Sequence, residues 1–328
     1  VPTRNRKENL ARAVAGLMEQ TYPAERYEVV VVNDGSTDGT ADLLREVRGK
    51  FGARIVALNG RGAGPAAARN SGLAAARGEI IGFTDDDVKP ARDWIEKAVN
   101  VIGTSGAAGV EGRTVDEPFG RSYYRSKTEN LAGGKFATCN IFYRKAVLDA
   151  VGGFDETFVL PCREDSDLAF RILDAGHRIL FSPEVSVIHG NCNRSILFQL
   201  RYPRYLRHSA YLAWKHPRRY RFSDQFLPSY AGMVLLSLIV IAGVFFLPLV
   251  LPLAAAALYL FLLGRFIKRN VYLGNVDGIG NKALMILASA ALPWVHTVHL
   301  LGCALSLWRG KRPLRGSARG DGPAEATR

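Results

Sequence analysis

Four valines in succession, Val29 to Val32, set the strongest constraint on the fold of this 328-residue chain. The run Glu28-Val29-Val30-Val31-Val32-Asn33 has no polar alternation, so the strand it forms is covered on both faces, as in parallel sheets flanked by helices. Neighbouring segments supply those helices. Residues 8–20 repeat apolar side chains at helical spacing, with Leu10, Val14 and Leu17 on one face. Asp34-Gly35-Ser36-Thr37-Asp38-Gly39-Thr40 turns the chain, and Thr37 or Asp38 is placed to cap a helix running through Val47. A strand over Arg54–Leu58, the glycine-rich loop Gly60–Gly64, an alanine-rich helix over 65–76 and a strand over 79–84 continue the alternation. This pattern predicts an α/β domain with a parallel sheet and right-handed crossovers. Such a domain normally opens with a strand, of which only the last residue remains in Val1-Pro2-Thr3. The expectation is a truncated or late start, with a poorly anchored first loop. After residue 103 the pattern is mixed. Strands are expected over Ala107–Thr114 and Phe136–Tyr143, with an irregular segment around Arg121–Gly134 between them. A helix is expected over Asp165–Ala175, then short extended pieces over Arg178–Phe181 and Val185–His189.

Charge divides the chain. Residues 1–200 hold 26 basic and 26 acidic side chains, so the formal net charge of +13 belongs to residues 201–328. That excess flanks two stretches without charge, between Asp224 and Arg265 and between Lys282 and Arg309. Each exceeds the roughly 20 apolar residues that cross a bilayer. The first has room for two spans, Ser229–Phe246 and Leu249–Leu263, and the second for one over Ala283–Trp308. Basic charge in this setting points to anionic lipid rather than to nucleic acid. The expected organisation is an α/β domain over 1–200, a basic juxtamembrane segment over 201–226, a membrane region over 227–308 and a disordered tail over 309–328. Trp214 and the Tyr and Arg residues of 201–221 read as interfacial anchors. Four widely spaced cysteines support neither a zinc site nor a disulfide framework, which fits a reduced, cytoplasmic location for the first domain.

The chemistry concentrates in acids. Asp85-Asp86-Asp87 come directly after the strand Glu79–Thr84, at the edge where open α/β sheets bind ligands. Three adjacent carboxylates make either a solvated acidic turn or a seat for Mg²⁺ or Mn²⁺ carrying phosphate oxygens. Asp34 lies at the same edge, either as an Asx-turn or as an acceptor for a nucleobase imide or ribose. Thr3 and Arg4 occupy the edge before it. Arg69, after the glycine loop, can pair with a phosphate or with a surface carboxylate. Glu164 and Asp165 open a helix, where carboxylates serve as caps or, for hydroxyl attack on an anomeric carbon, as a general base. His189 closes an apolar run and is either structural or a metal or phosphate partner.

Six segments, taken in order, resemble the family-2 glycosyltransferases, inverting enzymes of the GT-A fold. They are Pro2-Thr3-Arg4-Asn5-Arg6, Val31–Asp38, Ala68-Arg69-Asn70-Ser71-Gly72, Phe83–Asp87, Gly152-Gly153-Phe154-Asp155-Glu156 and Glu164-Asp165-Ser166-Asp167-Leu168. The resemblance implies a GT-A nucleotide-diphospho-sugar transferase fold, a Rossmann-like mixed sheet, with C-terminal transmembrane helices after it. It assigns donor binding to Pro2, Thr3, Arg4, Asp34, Arg69, Asp85 and Asp86, with Thr3 and Asp34 on the base, usually uracil. Asp85 and Asp87 become the metal-diphosphate motif for Mg²⁺ or Mn²⁺, with His189 a further candidate ligand. Asp165, with Glu164 beside it, becomes the catalytic base. Processive members carry Gln-x-x-Arg-Trp, which Gln199-Leu200-Arg201-Tyr202-Pro203 does not match, so non-processive transfer is expected. The implied partners are a UDP-sugar, a cell-envelope glycan or lipid-linked acceptor and the bilayer, without nucleic acid. The alternatives are a polyprenyl-phosphate glycosyl synthase, a nucleotidyltransferase, and a non-catalytic membrane scaffold with a decayed transferase domain.

Overall fold

The computed structural model describes residues 1–117, 128–190, 203–220, 256–261, 263–264 and 305. They belong to two compact units, one holding the described residues up to 190 and the other those from 203 onward. In the first unit the valine run forms β2 (Val29–Asn33), between β1 (Pro2–Thr3) and β3 (Ile55–Asn59) in a three-stranded parallel sheet. Both faces of β2 are covered. Val29 and Val31 join Leu10, Val14 and Leu17 of α1 (Lys7–Met18) and Leu44 of α2 (Thr40–Phe51) in one core. Val30 and Val32 face Gly72 of α3 (Pro65–Ala75), where an added Cβ would lie 3.3 Å from Val32. Each fully buried Val or Leu contributes about 1.5–3 kcal/mol, so this core fixes the strand order.

The first loop is well anchored, contrary to expectation. Two residues, Pro2 and Thr3, pair with Val32 and Asn33. Asn5 then takes a left-handed backbone (φ 52°), donates its N–H to Ser36 Oγ at 2.9 Å and accepts the Thr37 N–H at 2.7 Å. Asp38 caps two helices at once, accepting the N–H of Lys7 at 2.9 Å and of Thr40 at 3.1 Å.

The parallel sheet expected from the opening alternation extends only through β3, and the mixed sheet implied by the resemblance follows it. The strand β4 (Ile80–Phe83) leaves the first sheet and begins a five-stranded mixed sheet. Its members are β5 (Val88–Pro90), β6 (Gly109–Asp116), β7 (Ile141–Arg144) and β8 (Ile179–His189), in the order β4-β7-β6-β8-β5. Only the β6–β8 pair is parallel. Periodicity shows that β4 is buried but not which strand it pairs with; Gly82 lets it pair with β7, since a Cβ there would meet the Phe142 ring at 2.5 Å. The two short pieces expected over 178–189 form one strand, with an irregularity opposite Gly112 and Arg113. Asn140 fills the gap, donating to Arg113 O and Val185 O while accepting the Trp94 Nε1–H at 2.8 Å. The helix α4 (Trp94–Ser105) precedes β6, and α5 (Lys145–Ala150) and α6 (Glu164–Asp174) lie between β7 and β8.

The strand expected over Phe136–Tyr143 begins only at Ile141. Glu111, buried on β6, captures the chain before it by accepting the N–H groups of Gly134, Lys135 and Phe136 and the Asn130 amide. Phe136 consequently adopts φ 55°, and the Asn140 N–H turns back to Ala137 O.

In the second unit α7 (Pro203–Lys215) is amphipathic, with Leu212 buried and Trp214 exposed and stacked on Tyr211 at 5.7 Å. Nearly all of the three expected spans and most of Gln199–Pro203 lie outside the described residues. Among the described residues no helix is long and apolar enough to cross a membrane.

Glu111→Ala leaves three backbone donors without their acceptor. It is expected to cost about 1–3 kcal/mol of stability, read from denaturant unfolding, and to raise hydrogen exchange across residues 130–136.

Candidate active site

The register Thr3–Asn33–Asn59 brings the carboxyl ends of the three parallel strands to one edge. Asp34, the next residue on β2, is buried there, and its N–H donates to Thr3 O at 2.9 Å. Its carboxylate reaches across to the glycine-rich loop, accepting the N–H of Gly62 at 2.7 Å and of Gly64 at 3.0 Å. The glycines are required by this approach, since a Cβ on Gly60 would sit 2.6 Å from Asp34 Oδ1. The Asx-turn reading for Asp34 is therefore corrected. Its neighbour Asn33 makes the local side-chain bond of this loop, accepting the Ser36 N–H at 3.0 Å.

Asp85, Asp86 and Asp87 come after β4, and each carboxylate meets a cation or donor. Asp85 pairs with Arg69 at 2.9 Å. Asp86 accepts from Thr3 Oγ1 at 2.7 Å and from Arg6 at 2.9 Å, while the same Arg6 nitrogen lies 2.8 Å from Asp87. His189 turns Nε2 towards Asp87 Oδ1 at 3.5 Å. The solvated-turn reading fails on burial, because Asp86 is 4% exposed. Burial, with Asp87 beside it, pushes the Asp86 carboxyl up to about 6 against the pull of Arg6 and Thr3. Burial also opposes the charge of Asp85, but Arg69, with His189 and Arg6 behind it, outweighs burial and holds that carboxyl low.

Arg69 connects this cluster to the second one. The guanidinium, 6% exposed, donates through one nitrogen to Asp85 and through another to Glu164 at 2.8 Å. Its protein partners are the part-buried Asp85 and the buried Glu164. Two of the sequence segments hold it in place. Asn70 accepts the Phe154 N–H at 2.8 Å and donates to Phe154 O at 2.9 Å, and Gly153 (φ 65°) passes too close to Asn70 for a side chain. The Phe154 ring then lies below the guanidinium at 5.8 Å and meets Phe83, just before the acidic triplet, edge-on at 5.1 Å.

Glu164 and Asp165 open α6 after Arg163, whose φ of 75° is costly for a side-chain-bearing residue. Burial, reinforced by the Asp165 charge, pushes the Glu164 carboxyl up to about 7 against the pull of Arg69. Asp165 is half-buried and its carboxyl is also raised by burial, although it accepts the Ser166 N–H at 2.6 Å. Of the two adjacent acids, Glu164 is paired with Arg69 and Asp165 is the more open.

Most expected site residues come together here. Pro2 contributes backbone to β1. Arg4 directly follows β1, and among the described residues its Nε has no hydrogen-bond partner. Arg6 is the residue that sequence reading missed. It stands just before α1, and its closeness to the acids becomes visible only once β1 and β4 are placed. For a divalent cation, Asp85, Asp87 and His189 offer ligand atoms that all lie within 4.8 Å of one another. Two carboxylates and an imidazole suit Mn²⁺, and less closely the harder Mg²⁺. The guanidiniums drawn onto the same carboxylates show that this position requires positive charge. The residues present fit the ion.

A parallel βα edge lined by acids and glycines, continued into a mixed sheet, defines a GT-A-like nucleotide-diphospho-sugar transferase fold. Residues 1–155 match the profile of glycosyl transferase family 2. Glycosyltransferase AglE of Haloferax volcanii is 29% identical over 199 residues, covering 58% of this chain and 65% of AglE. Pre-mycofactocin glycosyltransferase of Mycobacterium tuberculosis is 30% identical over 238 residues, covering 66% of this chain and 47% of that protein. The chain thus spans between about half and two thirds of the length of these relatives. The crystal structure of S. aureus TarS superposes with a TM-score of 0.52 at 16% identity, over 93% of this chain and 54% of that one. Mannosyltransferase PcManGT from Pyrobaculum calidifontis, solved with GDP-Man and Mn²⁺, gives 0.53 at 22% identity, over 94% and 86%. At these identities the two structures establish the fold.

Arg69→Met strands the buried Glu164 carboxylate and removes the partner of the part-buried Asp85. Breaking a buried pair costs about 3–5 kcal/mol, so the variant is expected to unfold at markedly lower urea than wild type. The raised Glu164 carboxyl predicts a pH dependence. Its folded form holds the proton more tightly than the unfolded one, so its contribution is complete below about 4.5 and lost as pH rises through about 7. Across that window wild type is expected to lose stability relative to Glu164→Gln, as urea melts at stepped pH will show.

Proposed function

We propose that the chain is a membrane-associated, metal-dependent glycosyltransferase. It moves a sugar from a nucleotide-diphosphate donor, UDP-sugar favoured, to a hydroxyl of an envelope glycan or lipid-linked acceptor. The observation that carries this reading is the pairing of two acid clusters through Arg69, one fit for a cation and the other holding a raised carboxyl. Asp85, Asp87 and His189 are the residues that would hold Mg²⁺ or Mn²⁺, whose Lewis acidity stabilises charge on a leaving diphosphate. Thr3 and Asp34 border the base and ribose position at the strand edge, and Arg6 adds a part-exposed guanidinium beside the diphosphate position. Asp165 takes the proton from the acceptor hydroxyl as its oxygen attacks the anomeric carbon. The bond from that carbon to the diphosphate oxygen breaks, its electron pair leaves with the diphosphate, and the sugar inverts in one displacement.

The raised Asp165 carboxyl favours a hydroxyl acceptor over polyprenyl phosphate, which is already ionised and requires no base. Membrane association rests on the sequence: residues 201–328 hold the whole charge excess around two charge-free stretches, each longer than about 20 residues. The exposed Trp214 on α7 fits an interfacial anchor. The catalytic unit then lies on the cytoplasmic side, where nucleotide sugars are available.

A panel of nucleotide sugars with Mn²⁺ tests the reading through thermal shift and radiolabelled transfer. The cognate donor raises the melting temperature, Asp87→Ala abolishes the metal-dependent part of the rise, and Asp165→Asn keeps it while transfer falls by about 10²–10⁴-fold. Full activity in both variants contradicts the assigned roles, and product formed on bare polyprenyl phosphate selects the synthase alternative.

A further inference from the structure

Asp116 ends β6 with its side chain 6% exposed, and neither carboxylate oxygen accepts a hydrogen bond among the described residues. Four other acids of this region have partners for their carboxylates. Asp34 and Glu111 take backbone N–H groups, while Asp85 and Asp86 take guanidinium. A buried acceptor without a donor is costly and calls for an explanation, such as an ion or a partner that arrives with one.

The adjoining strand identifies that partner. β6 and β8 are parallel, with Asp116 in register with His189, and the Glu117 N–H donates to His189 O at 2.9 Å. Residues in register on neighbouring strands project to the same face, with strands about 4.8 Å apart, so the two side chains are neighbours. Thr114, two residues earlier on that face, lies 3.8 Å from the Cys139 thiol. Burial pushes this thiol up, and so do the nearby charges of Asp85, Asp165 and Asp87. The face therefore adjoins the acid clusters. His189 offers Nε2 to Asp87, which leaves Nδ1, the nitrogen nearer its own strand, for a second partner.

We infer that Asp116 is the positioning residue for His189. When His189 takes a divalent cation through Nε2, its Nδ1–H is donated to the Asp116 carboxylate. Histidine ligands commonly donate their other ring N–H to such a group, which fixes the tautomer and raises the basicity of the ligand. The inference rests on the reading of Asp85, Asp87 and His189 as the cation site. It also explains a buried acid that the transfer mechanism does not otherwise use.

Mn²⁺ binding to the full chain, measured from the EPR signal of free Mn²⁺, tests this without any turnover. D116N is expected to weaken binding about 10–100-fold, H189A at least as much, and D116N to add nothing in the H189A background. Without metal, D116N should melt no lower than wild type, because the amide replaces an unsatisfied buried charge; a lower melting temperature would show a scaffold role and overturn the inference. Unchanged Mn²⁺ affinity in D116N, with losses in H189A and D87A, overturns the inference and leaves the cation site standing. An equal further loss on adding D116N to H189A means that Asp116 acts on the cation directly, and also overturns it. Affinity that neither D87A nor H189A alters removes the cation site and the inference together.

Discussion

A single buried guanidinium, Arg69, joins the two halves of this site. It lies between Asp85, at the end of β4, and Glu164, at the start of α6, at 2.9 and 2.8 Å. Without it, the acids of both clusters would repel one another in a poorly solvated place. With it, the strand that presents the acidic triplet and the helix that presents Asp165 share one charge balance. The packing meets this requirement: Asn70 grips the Gly153-Phe154 turn, Phe154 supports the guanidinium, and Phe83 supports Phe154. Four of the six sequence segments thus converge on one side chain.

The acids of the molecule divide into those that hold backbone and those left for chemistry. Asp38 caps two helices, Asp34 holds the glycine loop, and Glu111 holds the chain before β7. In each case a carboxylate satisfies backbone N–H groups of a loop or a helix start. Asp87 and Asp165 are different, because they sit beside cations and solvent with capacity for a ligand.

The elements of the first sheet were legible because a four-valine run and helical periodicity each leave one reading. The strand partners beyond residue 80 were not. β4 is as apolar as β2, and only the close approach allowed by Gly82 shows that it pairs with β7. The capture of residues 134–136 by Glu111 cut short a strand whose sequence is otherwise suitable. At the site, acids at strand ends could be read one by one, whereas their partners could not. Arg6 and Arg69 find carboxylates 80 and 95 residues away, and no local pattern encodes such pairings. Asp116 escaped notice because the expected strand stopped at Thr114, two residues short of the one that matters.

In the proposed mechanism the fold holds a donor's diphosphate at one acid cluster and an acceptor's proton at the other, within one displacement. The anomeric configuration of the first-formed product, read by proton NMR on the donor selected by thermal shift, tests this most directly. A single attack assisted by Asp165 gives a product inverted relative to the donor. Retention of the donor's configuration would require a second displacement or another nucleophile, and would contradict the mechanism.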